Sequence, residues 1–139
     1  MAGDAGPAAV DDHADRVPAA WRAHGGVFLP MWQREALWMS FSAPPWKPCA
    51  VKVAVGMVNA VTGEPWSDAL DDEQDYLVCP PQPWLDGVRG TDGTVRQFVA
   101  MPLGMGYTVE GQLTGEERHG GIQVLVYDPV PGRFPAHPP

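Results

Sequence analysis

Apolar residues recur at every second position through much of the middle of the chain, the pattern of strands with one buried face. Val51, Val53, Val55 and Met57 alternate with Lys52, Ala54, Gly56 and Val58. Leu37, Met39 and Phe41 alternate with Ala36, Trp38 and Ser40. Shorter apolar strands are expected at residues 96–101, stopped by Pro102, and at residues 76–79, stopped by Pro80-Pro81. The most extended alternation runs over residues 107–127 and predicts a hairpin around the loop from Gly115 to Gly120. A symmetric loop opposes Leu113 to Ile122, Gly111 to Val124 and Val109 to Val126, which gathers the apolar residues on one face. The other face then carries Thr108, Glu110, Gln112 and Gln123, with Tyr127 alongside. A slip of one residue would split the apolar sets, so this register is the one the pattern selects.

Composition sharpens the fold class. Sixteen Gly and sixteen Pro residues rule out a helical bundle, because each weakens a helix interior. The Gly residues keep no three-residue period, which rules out collagen. Hydrophobic residues at 45% are ample for one core. Several short strands broken by Gly/Pro turns indicate an all-β fold, a single-domain sandwich or partly closed small barrel of short antiparallel strands. Its expected extent is residues 25–128. Residues 1–24, rich in Ala, Asp, Gly and Pro, are expected to form a mobile arm, with any helix in residues 8–24 interrupted at Pro18. Residues 129–139 are a Pro-rich tail, expected to be extended or disordered.

Charge narrows the partners. Nine Lys and Arg against seventeen Asp and Glu give a formal net charge of −8, without a basic cluster to offset it. Such a surface repels phosphate backbones, so neither nucleic acid nor an anionic membrane is an expected partner. The start, Met1-Ala2-Gly3-Asp4, has neither the basic nor the apolar region of a secretory signal, and a cytoplasmic location is expected. Cys49 and Cys79, without metal-binding spacing, are accordingly expected as reduced thiols.

Candidate chemistry lies in two places. The polar hairpin face, Thr108, Glu110, Gln112, Gln123 and Tyr127, mixes amides, a carboxylate and hydroxyls, a set suited to a polyhydroxylated ligand. An ordinary solvated sheet face has the same composition. The second place is the Pro-stiffened loop bearing Trp84 and Asp86, which could stack a ring and accept a hydrogen bond. Trp46 and Trp66 also follow prolines, and each of the three could instead plug the core from a loop. Motifs for catalysis or for a metal are absent, and no cofactor is expected. The acid cluster Asp71-Asp72-Glu73-Gln74-Asp75 lacks the Gly and the spaced oxygens of a calcium loop.

The leading expectation is therefore a non-enzymatic binding or assembly module with a carbohydrate or protein partner. The alternative is a small hydrolytic enzyme using Asp86 or Glu110 with His119. Self-association through Met31, Trp32, Trp38 and Met39 is a third possibility. Pro83-Trp84-Leu85-Asp86-Gly87, residues 96–104, residues 106–112 and Gly120-Gly121-Ile122-Gln123 resemble a family of uncharacterised microbial β-rich proteins. The resemblance implies one structural unit from Trp84 to Gln123 and brings no activity, ligand or cofactor with it.

Overall fold

A computed structural model describes residues 6–81 and 83–139. The first five residues of the expected arm, and Gln82 in the Trp84 loop, lie outside them. The chain divides into two compact units, Met1–Glu35 and Ala36–Pro139.

In the first unit, β1 (Ala8–Ala9) pairs antiparallel with β2 (Val27–Phe28). A 3-10 turn (Asp11–His13) and a short helix, α1 (Ala19–His24), lie between them. Helix α1 begins directly after Pro18, where a proline's fixed φ suits the entry into a helix. The His13 and Trp21 rings both pack on Phe28, at centroid distances of 5.5 and 5.6 Å.

The second unit is mostly strand with little helix and contains no closed barrel among the described residues. Its strands are β3 (Met39–Ser40), β4 (Cys49–Val55), β5 (Val58–Asn59), β6 (Leu77–Cys79), β7 (Trp84–Leu85), β8 (Gly87–Arg89), β9 (Val95–Gln97) and β10 (Ile122–Tyr127). Helix α2 (Val109–Thr114) lies between the last two strands. The largest sheet is built around β4, which pairs antiparallel with β5, β6 and β10. Two smaller ladders, β3 with β7 and β8 with β9, flank it in sequence. The expected strands at 36–41 and 76–79 are present in shortened form as β3 and β6; that at 96–101 is met only at its start, where β9 covers Val95–Gln97.

Two expectations from alternation are corrected. The run 51–58 is not one strand but a hairpin, in which Gly56 and Met57 form a two-residue turn between β4 and β5. Both turn residues have positive φ (56° and 64°), as a tight turn matched to the strand twist requires. Met57 is held there from both sides: its N–H donates to Gln123 Oε1 (2.9 Å) and its carbonyl accepts from the Trp66 N–H (2.9 Å).

The hairpin over 107–127 is also overturned. Residues 109–114 are helical, and β10 pairs along its whole length with β4, from Ile122 opposite Val55 to Tyr127 opposite Ala50. The Thr108 hydroxyl caps α2 by accepting from the Gly111 N–H (3.0 Å), and Gly115 ends it in the left-handed conformation. Val109 and Leu113 are spaced by four as well as alternating, so the same residues satisfy a helical period. Both join the core.

Strand β4 is covered on both faces. Val51 and Val53 lie in an apolar cluster with Val58, Ala60, Val88, Phe98 and Val109. The opposite face presents Lys52 and Ala54, both with no exposed surface. A buried ammonium needs every donor satisfied. Lys52 Nζ meets the Ser67 carbonyl (2.5 Å), the Ala69 carbonyl (2.6 Å) and Asp75 Oδ2 (2.8 Å). Its charge also lies over the Trp66 ring, 5.3 Å from the centroid. Asn59 continues this polar layer: its Nδ2 donates to the Asp75 carbonyl (2.9 Å) and its Oδ1 accepts from the Val61 N–H (2.8 Å). Burial pushes the Asp75 carboxyl upward, but the Lys52 hydrogen bond, the Asp71 N–H and the Lys52 charge outweigh it and leave it below the ordinary aspartate value.

Replacing Lys52 by Ala leaves Asp75 and two carbonyls without their cation. A loss of about 3–5 kcal/mol is expected, read as a lower urea midpoint at unchanged slope.

Candidate functional site

The chain bends at Asp86, between β7 and β8, and three segments meet there. The Asp86 carbonyl accepts from the Phe98 N–H (2.7 Å), and the Leu37 N–H donates to the Phe98 carbonyl (2.8 Å). Further along, Ser40 stands opposite Trp84 and Met39 opposite Leu85. The alternation sorts the side chains cleanly. Leu37, Met39, Phe41 and Leu85 pack against the apolar core, which leaves Trp38, Ser40, Trp84 and Asp86 on the outward face. Trp38 is 66% exposed and Trp84 63%. Trp38 lies two residues before Ser40, the residue opposite Trp84, and so on the same outward face. Trp84 is thus no core plug. Trp46 and Trp66 are half-buried, and the Trp66 indole N–H donates to Asp68 Oδ1 (2.6 Å).

Asp86 also lines an open cavity of about 710 Å³, together with Arg96, Val99, Met101, Tyr107 and Gln112. The Arg96 guanidinium is oriented by three contacts: Nε donates to Gln112 Oε1 (3.1 Å), one terminal nitrogen donates to Thr94 Oγ1 (2.7 Å), and the other faces Asp92 Oδ2 (3.4 Å). Asp92 is held down at about 2, first by the Thr94 hydroxyl, then by the Thr94 N–H and Arg96. An arginine has five N–H donors, and these contacts use three. Gln112 Nε2 donates to the Tyr107 carbonyl (2.9 Å), which fixes its amide orientation at the cavity wall. The wall therefore offers an acceptor, a preset donor and an exposed phenol side by side.

Of the residues expected to form one polar hairpin face, Gln112 alone lines this cavity. Thr108 is spent on the helix: its hydroxyl also donates to Glu117 Oε2 (2.6 Å). That hydroxyl, followed by the Gly106 N–H, overcomes the upward push of burial and lowers the Glu117 carboxyl. Gln123 bridges the Met57 N–H and the Gly120 carbonyl. Tyr127 lies on β10, and its buried Oη has no hydrogen-bond partner among the described residues.

Glu110 is buried and serves as an internal anion. Its carboxylate accepts the N–H groups of Arg118 (2.9 Å), His119 (2.9 Å) and Gly120 (2.7 Å). The hydrogen bonds joining His119 to Glu110 thus come from the backbone, where they fasten a loop rather than pass a proton. Glu110 also fills the space over Gly56, where an added Cβ would stand 2.5 Å from Glu110 Cβ. One carboxylate therefore connects α2, the 118–120 loop and the Gly56-Met57 turn. The sequence signal for this is partial: Gly115 and Gly120-Gly121 bracket the loop that supplies these N–H groups.

Nothing in the sequence marks Arg96 or Tyr107 as a site residue. Only the tertiary fold brings Val95–Gln97 against α2. Among the described residues no group of three or more His, Cys, Asp or Glu is arranged to hold a metal ion, and no helix is long and apolar enough to cross a membrane.

Burial pushes the Glu110 carboxyl up, but its three N–H partners prevail and set it below the ordinary glutamate value of 4.5. Its contribution to stability is therefore complete above that value and is lost as the pH falls through the lowered folded value. Glu110→Gln is expected to cost about 1–3 kcal/mol at neutral pH. It should also flatten the decline of the urea midpoint in the acid range, as a pH series of unfolding curves would show. Compared with known proteins, the chain matches no family model, no curated protein and no solved structure.

Proposed function

We propose that the protein is a non-enzymatic binding module whose ligand is a carbohydrate, received by the Trp38–Trp84 face and the adjoining cavity. The observation that carries this reading is the pair of exposed indoles sharing one outward face with Asp86, which itself lines the cavity. Indole faces are apolar and favour the C–H face of a pyranose ring. A sugar hydroxyl both donates and accepts, and the Asp86 carboxylate and Arg96 guanidinium supply the complementary groups. The anchors are braced: Arg96 by Gln112 and Thr94, and the sheet face by the inward packing of Leu37, Met39 and Leu85. Preset side chains lose little freedom on binding.

A hydrolytic role gains less from the geometry. Glu110 is engaged by three backbone donors, and Asp86 is exposed on an open face where water is not excluded. A protein ligand remains the second reading, favoured by the same exposed indoles.

A glycan array followed by titration of intrinsic tryptophan fluorescence tests the proposal. At least one glycan class should quench or shift the emission, and Trp84→Ala should weaken that binding tenfold or more. The far-UV circular dichroism and thermal midpoint should be nearly unchanged, since Trp84 contributes little to the core. An array without binders, or Trp84→Ala binding as the wild type does, would overturn the carbohydrate assignment.

A further inference from the structure

Cys49 and Cys79 are thirty residues apart in sequence and directly opposite each other in the β4–β6 ladder. Both carry free thiols; Cys79 is fully buried and Cys49 half-buried. Directly opposed residues of an antiparallel pair have Cα atoms about 4.5–5.5 Å apart. That spacing lies inside the range of roughly 4.4–6.8 Å that a disulfide spans without backbone movement. We propose that these two thiols form a modification site, closing to a reversible intramolecular disulfide by exchange with a low-molecular-weight disulfide.

Accessibility sets the order of events. Cys49, the half-exposed partner, loses its proton and its thiolate attacks one sulfur of the small disulfide. The S–S bond of the reagent breaks, one small thiolate leaves, and a mixed disulfide forms on Cys49. Cys79 then gives up its proton and attacks the Cys49 sulfur, expelling the second small thiolate. Two protein thiols are oxidised to one disulfide, and one small disulfide is reduced to two thiols. Burial, the facing Cys79 thiol and Asp128 raise the Cys49 thiol, so the exchange is slower than at an exposed cysteine.

The bond would close a covalent loop around residues 50–78, the segment holding Lys52, Asn59 and Asp75. It would also pin the end of β6 five residues before Trp84. Nothing in the sequence spacing of the two cysteines announces this. The register of β6 on β4 brings them together.

The full chain, incubated with excess oxidised glutathione, quenched in acid and alkylated, is examined by intact mass spectrometry. The wild type should lose two hydrogens, take up no alkylating group and remain monomeric; dithiothreitol should restore both thiols. Its thermal midpoint should rise by several degrees in the oxidised form. Cys79→Ser should stop at one glutathione adduct on Cys49, and Cys49→Ser should stay unmodified while folded. The proposal is overturned if the wild type ends as glutathione adducts or a disulfide-linked dimer. It is equally overturned if the folded chain stays reduced while a urea-unfolded control oxidises.

Discussion

A lysine ammonium with no exposed surface sits in the middle of the longest strand, and the second unit is arranged to satisfy it. Removing a charge from water costs several kcal/mol, and only close, complete coordination offsets that cost. Lys52 is met by two carbonyls, one carboxylate and one aromatic face. These come from Trp66, Ser67, Ala69 and Asp75, so a segment with almost no regular structure is fixed by polar contacts. An apolar residue at position 52 would not specify where those carbonyls lie. The acid cluster at 71–75 takes its meaning from the same contact: Asp75 is the counter-ion, and the Asp71 N–H braces it.

With the polar layer on one face of β4 and the valine cluster on the other, the remaining elements pack against a strand that is already buried. The core takes Met39 and Leu85 from the β3–β7 ladder and Leu37 and Phe41 from the residues flanking β3. Alternation then forces Trp38 and Trp84 outward, and the bend at Asp86 turns the chain toward the cavity. Exposure of the two indoles follows from the core's choice of their neighbours. The Glu110 carboxylate plays a related role beside the cavity, because it ties α2 to the 118–120 loop and so positions Gln112 against Arg96. Buried charge held by backbone groups thus appears twice, once as a cation donating to carbonyls and once as an anion accepting from N–H groups.

Much of the β character was legible in the sequence, and the reasons for the misses are physical. Leu37-Trp38-Met39-Ser40-Phe41 alternates and does form a half-buried segment with Trp38 outward. The Pro-stiffened approach to Trp84 and Asp86 is legible in the sequence, and both residues are exposed, Trp84 on the short strand β7. The hairpin over 107–127 failed because Val109, Gly111 and Leu113 fit a period of two while Val109 and Leu113 also fit a helical spacing. Thr108 and Gly115, a cap at each end, were the signals that separate the two. The partner of Ile122–Tyr127 was not legible, since pairing with a strand seventy residues earlier leaves no local trace. Lys52 was equally opaque, because a polar residue in an alternating run normally faces water.

Native-state hydrogen exchange on the wild type and on Asp75→Asn bears most directly on the claim that Lys52 and Asp75 organise the second face of β4. The account predicts that protection falls first and most across residues 67–79, while the β8–β9 ladder keeps its slow exchange. Equal loss of protection across both regions, or none in residues 67–79, would contradict it.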